Sequence, residues 1–303
     1  MTFEAMGLDA HLIRALKAQE ISEPTPIQAQ AIPAALEGRD IMGIAQTGTG
    51  KTAAFGLPMA HNLMQMKGKP QAKTTRGLIL APTRELAKQI ANNVIAYVKG
   101  TRLRVNLVVG GASIRSQVNR LDRGTDLLVA TPGRLIDLIE RGAIYLDQSR
   151  YLVLDEADQM LDLGFIHALR QIAPLLPAER QTMLFSATMP KLMGELADAY
   201  LKDPQRIEVS PPGRTAEKVI QELHYVDQSE KADLLVQHLN AHPDDLSIVF
   251  TRTKHGADKL LRVLEAKGFE ATTVHGNKSQ GQRERAIKAF AARLEEKGAR
   301  LIL

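Results

Sequence analysis

Short runs of Val, Ile and Leu recur along the first part of the chain: IMGIA, GLILAP, VNLVVG, DLLVAT, YLVLDE, TMLFSAT and RIEVS. Longer stretches with charged residues at helical spacing separate them. Runs without polar alternation suit strands covered on both faces, and their alternation with helical segments predicts βαβ units. The expected fold is therefore α/β: a parallel sheet between two helical layers, with ligands at the C-terminal ends of the strands.

The periodicity breaks at Ser210-Pro211-Pro212-Gly213-Arg214. A linker over 210–217 is expected there, dividing a first domain over 1–209 from a second over 218–303. Alternation then resumes with LHYV, DLLVQHL, SIVF, ADKLLRVLEAKG, ATTVHG, RERAIKAFAARLEEKG and RLIL. The sequence thus ends on an apolar strand, which is expected to leave a sheet edge uncovered or a successor missing.

Composition narrows this picture. A chain of 303 residues with 44% hydrophobic and 24% charged positions suits two domain cores. No apolar run reaches eighteen residues, and MTFEAMGLDAHLIRAL has no export-signal pattern, so a soluble cytoplasmic monomer without membrane contact is expected. Zero cysteines exclude disulfides, thiolate metal sites and a cysteine nucleophile. The net charge of +5 suits a polyanionic partner, while 4% aromatics and no Trp disfavour base-stacking platforms. Nucleic-acid contact should therefore favour the backbone. His224, His238 and His242 show no ligand spacing and read as surface residues.

Ala45-Gln46-Thr47-Gly48-Thr49-Gly50-Lys51-Thr52 lies between a strand-like run and a helical one. Gly48 and Gly50 would let backbone N–H groups of the Thr47 to Gly50 turn close around phosphate, Lys51 would reach the outer phosphates and Thr52 would offer its hydroxyl to Mg²⁺. A turn that merely caps a helix is the bland alternative, and the GKT ending argues against it. At the end of a later strand, Asp155 would hold Mg²⁺ and Glu156 would orient and deprotonate the attacking water. Alone, such a pair would read as a helix cap. Together the two sites specify nucleoside triphosphate hydrolysis.

Asp155-Glu156-Ala157-Asp158 spells the motif that names the DEAD-box RNA helicases, and the chain resembles that family over nearly its whole length. The resemblance includes Pro24-Thr25-Pro26-Ile27-Gln28, Pro82-Thr83-Arg84-Glu85-Leu86-Ala87, Gly110-Gly111, Thr131-Pro132-Gly133-Arg134 and Ser186-Ala187-Thr188, in order. It implies two tandem RecA-like domains of the P-loop NTPase class, the second incomplete, and the cofactors ATP and Mg²⁺. It further implies that Gln28 reads the adenine edge, that Phe3 packs against the base, and that Thr83, Arg84, Gly111, Thr131 and Arg134 contact RNA phosphates and sugars. Asp158, Ser186 and Thr188 would link the nucleotide site to RNA engagement. Glu20 and Ile21 stand where the family pattern has a Gly and an aromatic.

In the second region Thr251, Gln280 and Arg283 resemble the family's RNA elements. The family's ARGLD-type and HRxGRxGR-type segments, whose arginines complete the ATP site, do not occur in these 303 residues. The expectation is an ATP-dependent RNA helicase core that unwinds short duplexes when complete, with little turnover in this chain. One alternative is a non-catalytic RNA- and nucleotide-binding module, which Lys51, Asp155 and Glu156 argue against. Another is a small-molecule kinase, which the ordered motif set argues against and nucleotide and RNA response would separate.

Overall fold

The computed structural model describes residues 2–46, 48–209, 220–296 and 300–302. The chain divides into two compact units, Met1–Thr215 and Ala216–Leu303. The linker expected at 210–217 lies outside the described residues.

The first unit runs α1 (Ala10–Lys17), α2 (Pro26–Leu36), β1 (Ile41–Ile44), α3 (Lys51–Gln65), β2 (Thr75–Leu80), α4 (Arg84–Tyr97), β3 (Val105–Val108) and α5 (Ile114–Leu121). It continues through β4 (Thr125–Ala130), α6 (Pro132–Glu140), β5 (Tyr151–Leu154), α7 (Ala157–Asp162), α8 (Ile166–Ile172), β6 (Gln181–Ser186), α9 (Lys191–Tyr200) and β7 (Gln205–Glu208). Every apolar run named above is one of these strands. They form a parallel sheet in the order β3-β4-β2-β5-β6-β1-β7.

Alternate strand residues point to opposite faces, and here both faces are covered. Leu78, Leu80, Leu128, Leu152, Leu154 and Leu184 pack toward α5 to α9, while Ile79, Leu127, Val129, Val153, Met183 and Phe185 pack toward α2, α3 and α4. That is why the runs are continuous rather than alternating. Edge strand β7 buries only Ile207. A third cluster joins α1 to α3 and α4 through Leu12, Leu16, Leu57 and Tyr97.

The second unit contains α10 (Lys231–Ala241), β8 (Ile248–Val249), α11 (Lys254–Ala266), β9 (Ala271–Thr273), α12 (Gln280–Glu296) and β10 (Arg300–Ile302). Its core is small, built on Leu239, Ala257 and Leu264. The final run, RLIL, forms a strand as expected, and it does not lie at an edge. β10 is central, paired in parallel with β8 on one side and β9 on the other. LHYV is not a strand either: a strand needs a backbone partner, and Leu223–Val226 pairs with neither edge of this sheet, leaving Leu223 and Tyr225 exposed. His224, His238 and His242 are exposed, as expected.

Candidate functional site

Because the first sheet is parallel, its strands all end on one edge, and strand order decides which endings become neighbours. β6 lies between β1 and β5. The phosphate loop after β1, the acidic pair after β5 and Ser186-Ala187-Thr188 after β6 therefore converge, although well over a hundred residues separate the first from the last.

The loop is shaped by two left-handed glycines, Gly48 at φ +85° and Gly50 at φ +89°. Thr49 Oγ1 donates to the Gln46 carbonyl at 2.7 Å, and Ala45 N donates to the Ser186 carbonyl at 2.9 Å, tying the loop to β6. Thr47 lies outside the described residues. Lys51 and Thr52 open α3, Thr52 half-buried. The Lys51 ammonium is buried without a hydrogen-bond partner, and its nearest counter-charge is Asp155 Oδ1 at 4.0 Å.

Asp155 is 2% exposed, and burial pushes its carboxyl up to about 6, against the opposing pull of Lys51. Its Oδ1 accepts from Glu156 N at 3.0 Å. Glu156 sits at φ +50°, a conformation rare for a side chain larger than Asn, where it starts α7. Asp158 Oδ2 accepts three bonds, from Thr188 Oγ1 at 2.8 Å, Thr188 N at 2.9 Å and Ala187 N at 3.2 Å. Ser186 instead donates its hydroxyl to the Thr188 carbonyl at 2.7 Å. Ala187 was invisible to side-chain reasoning, because it contributes only a backbone donor.

A buried ammonium without a hydrogen-bond partner beside a carboxyl destabilised by burial is a site that gains from a phosphate and a divalent cation. Among the described residues no cluster of three or more His, Cys, Asp or Glu could hold a metal. Mg²⁺ is characteristically held by one or two protein oxygens, waters and substrate phosphates, and Thr52 and Asp155 are residues here that could supply such oxygens.

The two residues expected at the base, Gln28 and Phe3, are both buried. Gln28 is 4% exposed; its Oε1 accepts from Thr25 N at 3.0 Å and its Nε2 donates to the Gly50 carbonyl at 3.0 Å. In this structure it fastens α2 to the phosphate loop. Phe3 is 2% exposed and packs in the α1 core cluster, because a Phe next to Leu12, Leu57 and Tyr97 loses more water contact there than at a surface. Glu20 adopts φ +58° and Ile21 N closes back on the Leu16 carbonyl, so the family's glycine position keeps a glycine conformation.

The strands at the other side of the sheet, β2, β3 and β4, end in the remaining motifs. Thr83 caps α4, its Oγ1 accepting from Leu86 N at 3.2 Å. Arg84 lies over Gly110 and Gly111, where an added Cβ would meet its guanidinium. Thr131 precedes Pro132 at the start of α6 but makes no side-chain cap bond. Arg134 donates to the Ala112 carbonyl at 3.0 Å and pairs with Asp137 at 3.5 Å. Two arginines thus flank the Gly110 to Ala112 turn. In the second unit, Thr251 follows β8 and donates to the Thr253 carbonyl, while Gln280 and Arg283 lie in the first turn of α12 after β9, again at strand C-terminal ends.

A phosphate loop and a strand-terminal acidic pair separated by one strand of a parallel sheet define the P-loop nucleotide-binding class. Residues 25–196 match the DEAD/DEAH box helicase family and residues 230–303 the helicase conserved C-terminal domain. The chain belongs to the DEAD/DEAH box helicase family. It is 41% identical over 288 residues to the ATP-dependent RNA helicase CshA of Listeria monocytogenes, covering 95% of this chain and 54% of that protein. It is 40% identical over 290 residues to the DEAD-box ATP-dependent RNA helicase CshA of Streptococcus pneumoniae, covering 96% and 54%. The chain spans about half the length of these curated relatives. The crystal structure of a DEAD box protein from Methanococcus jannaschii superposes with a TM-score of 0.63 at 31% identity, covering 100% of this chain and 80% of that one.

Proposed function

We propose that this chain is the motor part of an ATP-dependent RNA helicase, binding ATP-Mg²⁺ at the β1, β5 and β6 ends and RNA backbone at the β2, β3 and β4 ends. The observation that carries the reading is the Lys51–Asp155 pair, buried at 4.0 Å where two strand ends meet. Its relatives bear the name ATP-dependent RNA helicase.

Lys51 and the backbone N–H groups of the loop would bind the outer phosphates, giving a buried ammonium that has no hydrogen-bond partner a charge-assisted contact. Bound Mg²⁺, held by Thr52 and Asp155, would neutralise the charge that develops on the transferred phosphoryl group. Glu156, aimed by its left-handed backbone, would orient the water and take its proton. Asp158 would sense the RNA-bound state through Ala187 and Thr188. Gln28 would select adenine with its second amide proton and second lone pair, or by leaving Gly50. Phe3 would support the base wall from within the core. RNA would be held by Thr83, Arg84, Gly111, Thr131 and Arg134, and in the second unit by Thr251, Gln280 and Arg283, without sequence readout.

No described helix is long and apolar enough to cross a membrane. Turnover by a polypeptide of these 303 residues should be weak, since an arginine acting on the transferred phosphoryl group contributes about 10³ to 10⁵ in rate and the family's arginine-bearing segments do not occur in them. The test is ATP and GTP titration together with steady-state hydrolysis, with and without RNA, beside Glu156→Gln. ATP-selective binding with weak turnover is the expected result. Equal binding of GTP would remove the adenine reading. Strong RNA-stimulated turnover abolished by Glu156→Gln would remove the claim of weak turnover.

A further inference from the structure

Eleven of the chain's 39 Lys and Arg residues fall between His61 and Arg120, against a single acid, Glu85. Two of the eleven, Arg84 and Lys88, start α4 on the edge already described. Most of the others lie on the loops that enter β2, β3 and β4, at the opposite edge of the sheet. Lys67 and Lys69 precede β2, and Lys99, Arg102 and Arg104 precede β3; Arg123, just beyond that stretch, precedes β4, and all six are exposed.

These loops form one rim. Arg102 Nη2 donates to the Met64 carbonyl at 3.2 Å, tying the loop before β3 to the end of α3. Arg104 Nη2 reaches the Arg123 carbonyl at 3.4 Å, and Lys73 N donates to the Leu121 carbonyl at 3.2 Å, linking all three loops. Beneath them Arg76 and Asp126 form a buried pair at 3.4 Å, Arg76 also holding the Lys67 carbonyl at 3.0 Å and Asp126 the Arg104 N–H at 2.9 Å. The acid that could have neutralised the rim is thus spent inside it. Among the described residues none of the six exposed cations is paired with a carboxylate, and the exposed acid within these loops is Asp122.

We propose that this rim is a second binding surface for RNA backbone, separate from the path at the C-terminal strand ends. β2 alone, at six residues, sets the two edges roughly 20 Å apart. A strand held at one edge therefore does not touch the other without passing around the molecule. Several exposed cations on one scaffold suit a phosphate chain, whose counterions they release. A protein interface of this size would need an apolar centre, and among the described residues the one large exposed apolar side chain joined to these loops by a hydrogen bond is Tyr145, whose N–H donates to the Lys73 carbonyl. A ring at the margin of a basic rim also suits a stacked base. The rim would hold flanking RNA while the opposite edge works on a neighbouring duplex, raising its effective concentration. The inference rests on the RNA reading above but on different residues.

The test uses the full chain and a hairpin RNA with a single-stranded extension, with affinity measured by fluorescence anisotropy across a salt series. Lys67→Gln, Lys69→Gln, Lys99→Gln and Arg123→Gln are combined in one variant, and Arg84→Gln with Arg134→Gln in another. The rim variant should bind RNA about tenfold more weakly, with a salt slope reduced by roughly 3, since each single-strand phosphate contact contributes about 0.7. Its ATP affinity and melting temperature should be unchanged. The Arg84/Arg134 variant should retain binding that the rim substitutions then abolish. Unchanged RNA affinity and slope in a folded rim variant would overturn the proposal and leave the other path standing. Loss of all binding in the Arg84/Arg134 variant would do the same. Binding of poly-glutamate as tight as RNA at equal salt would reassign the rim to an acidic protein and overturn it as well.

Discussion

Gln28 and Gly50 are joined by a hydrogen bond from the glutamine amide to the glycine carbonyl, 3.0 Å long, across 22 positions of sequence. The loop that is to hold phosphate is thereby latched to the start of α2. Gly50 is required twice over: its φ of +89° is left-handed, and a Cβ there would collide with the Gln28 amide. Gly50→Ala should cost about 1–2 kcal/mol of stability from the backbone alone and abolish detectable ATP binding. Adding Gln28→Ala should recover part of the stability but not the nucleotide affinity. Thermal melts with nucleotide titration check this, and full rescue by the double substitution would show that the backbone conformation carries no cost.

Asp155 gives the nucleotide-free chain a defined pH response. Its carboxyl is held at about 6 when folded against an ordinary 3.8, chiefly by burial. The folded state therefore binds more protons than the unfolded state between those values, and this group's contribution to stability falls as pH rises from about 4 to about 6. Asp155→Asn should flatten that part of the profile. Melting curves across this range for both proteins decide it; parallel profiles would mean that Asp155 does not titrate there.

Glu156 stands in a left-handed backbone conformation that a glycine adopts without strain. Glu156→Gly should raise stability by about 1 kcal/mol, roughly 2–4 °C for a unit of this size, while eliminating hydrolysis. Glu156→Gln should eliminate hydrolysis and leave the melting temperature close to wild type. A lower melting temperature for the glycine variant would show that other contacts of Glu156 outweigh the strain.

Gly111 is at φ +77°, and a Cβ there would meet the Arg84 guanidinium, whereas at Gly110 it would approach to 3.1 Å without a left-handed backbone. Gly111→Ala should displace Arg84 and weaken RNA binding about tenfold, equivalent to about 1.4 kcal/mol. Gly110→Ala should do less, and ATP affinity should hold in both. Equal RNA affinity for the two variants would detach Arg84 from this role.

Much of the first unit was legible in advance, for a simple reason. A strand buried on both faces must be largely apolar, so IMGIA, GLILAP, DLLVAT, YLVLDE and TMLFSAT announced themselves, and GKT and DEAD marked the loop and acidic pair that follow two of them. The second unit was less legible. LHYV has the right alternation but no partner strand, and the central place of RLIL between β8 and β9 could not be read from its own residues. Pairing is a property of neighbours, and a local pattern contains no record of them.

The amino-acid sequence alone determined that this is a P-loop α/β protein and put forward Lys51, Asp155 and Glu156 as its candidate chemical groups, because loop conformation, strand burial and side-chain chemistry are local demands. Only the tertiary structure decided that β6 stands between β1 and β5, that Asp158 accepts three bonds from Ala187 and Thr188, that Gln28 latches Gly50, and that Phe3 is core. These depend on strand order and on which distant surfaces exclude water together, and no short stretch of sequence carries that information.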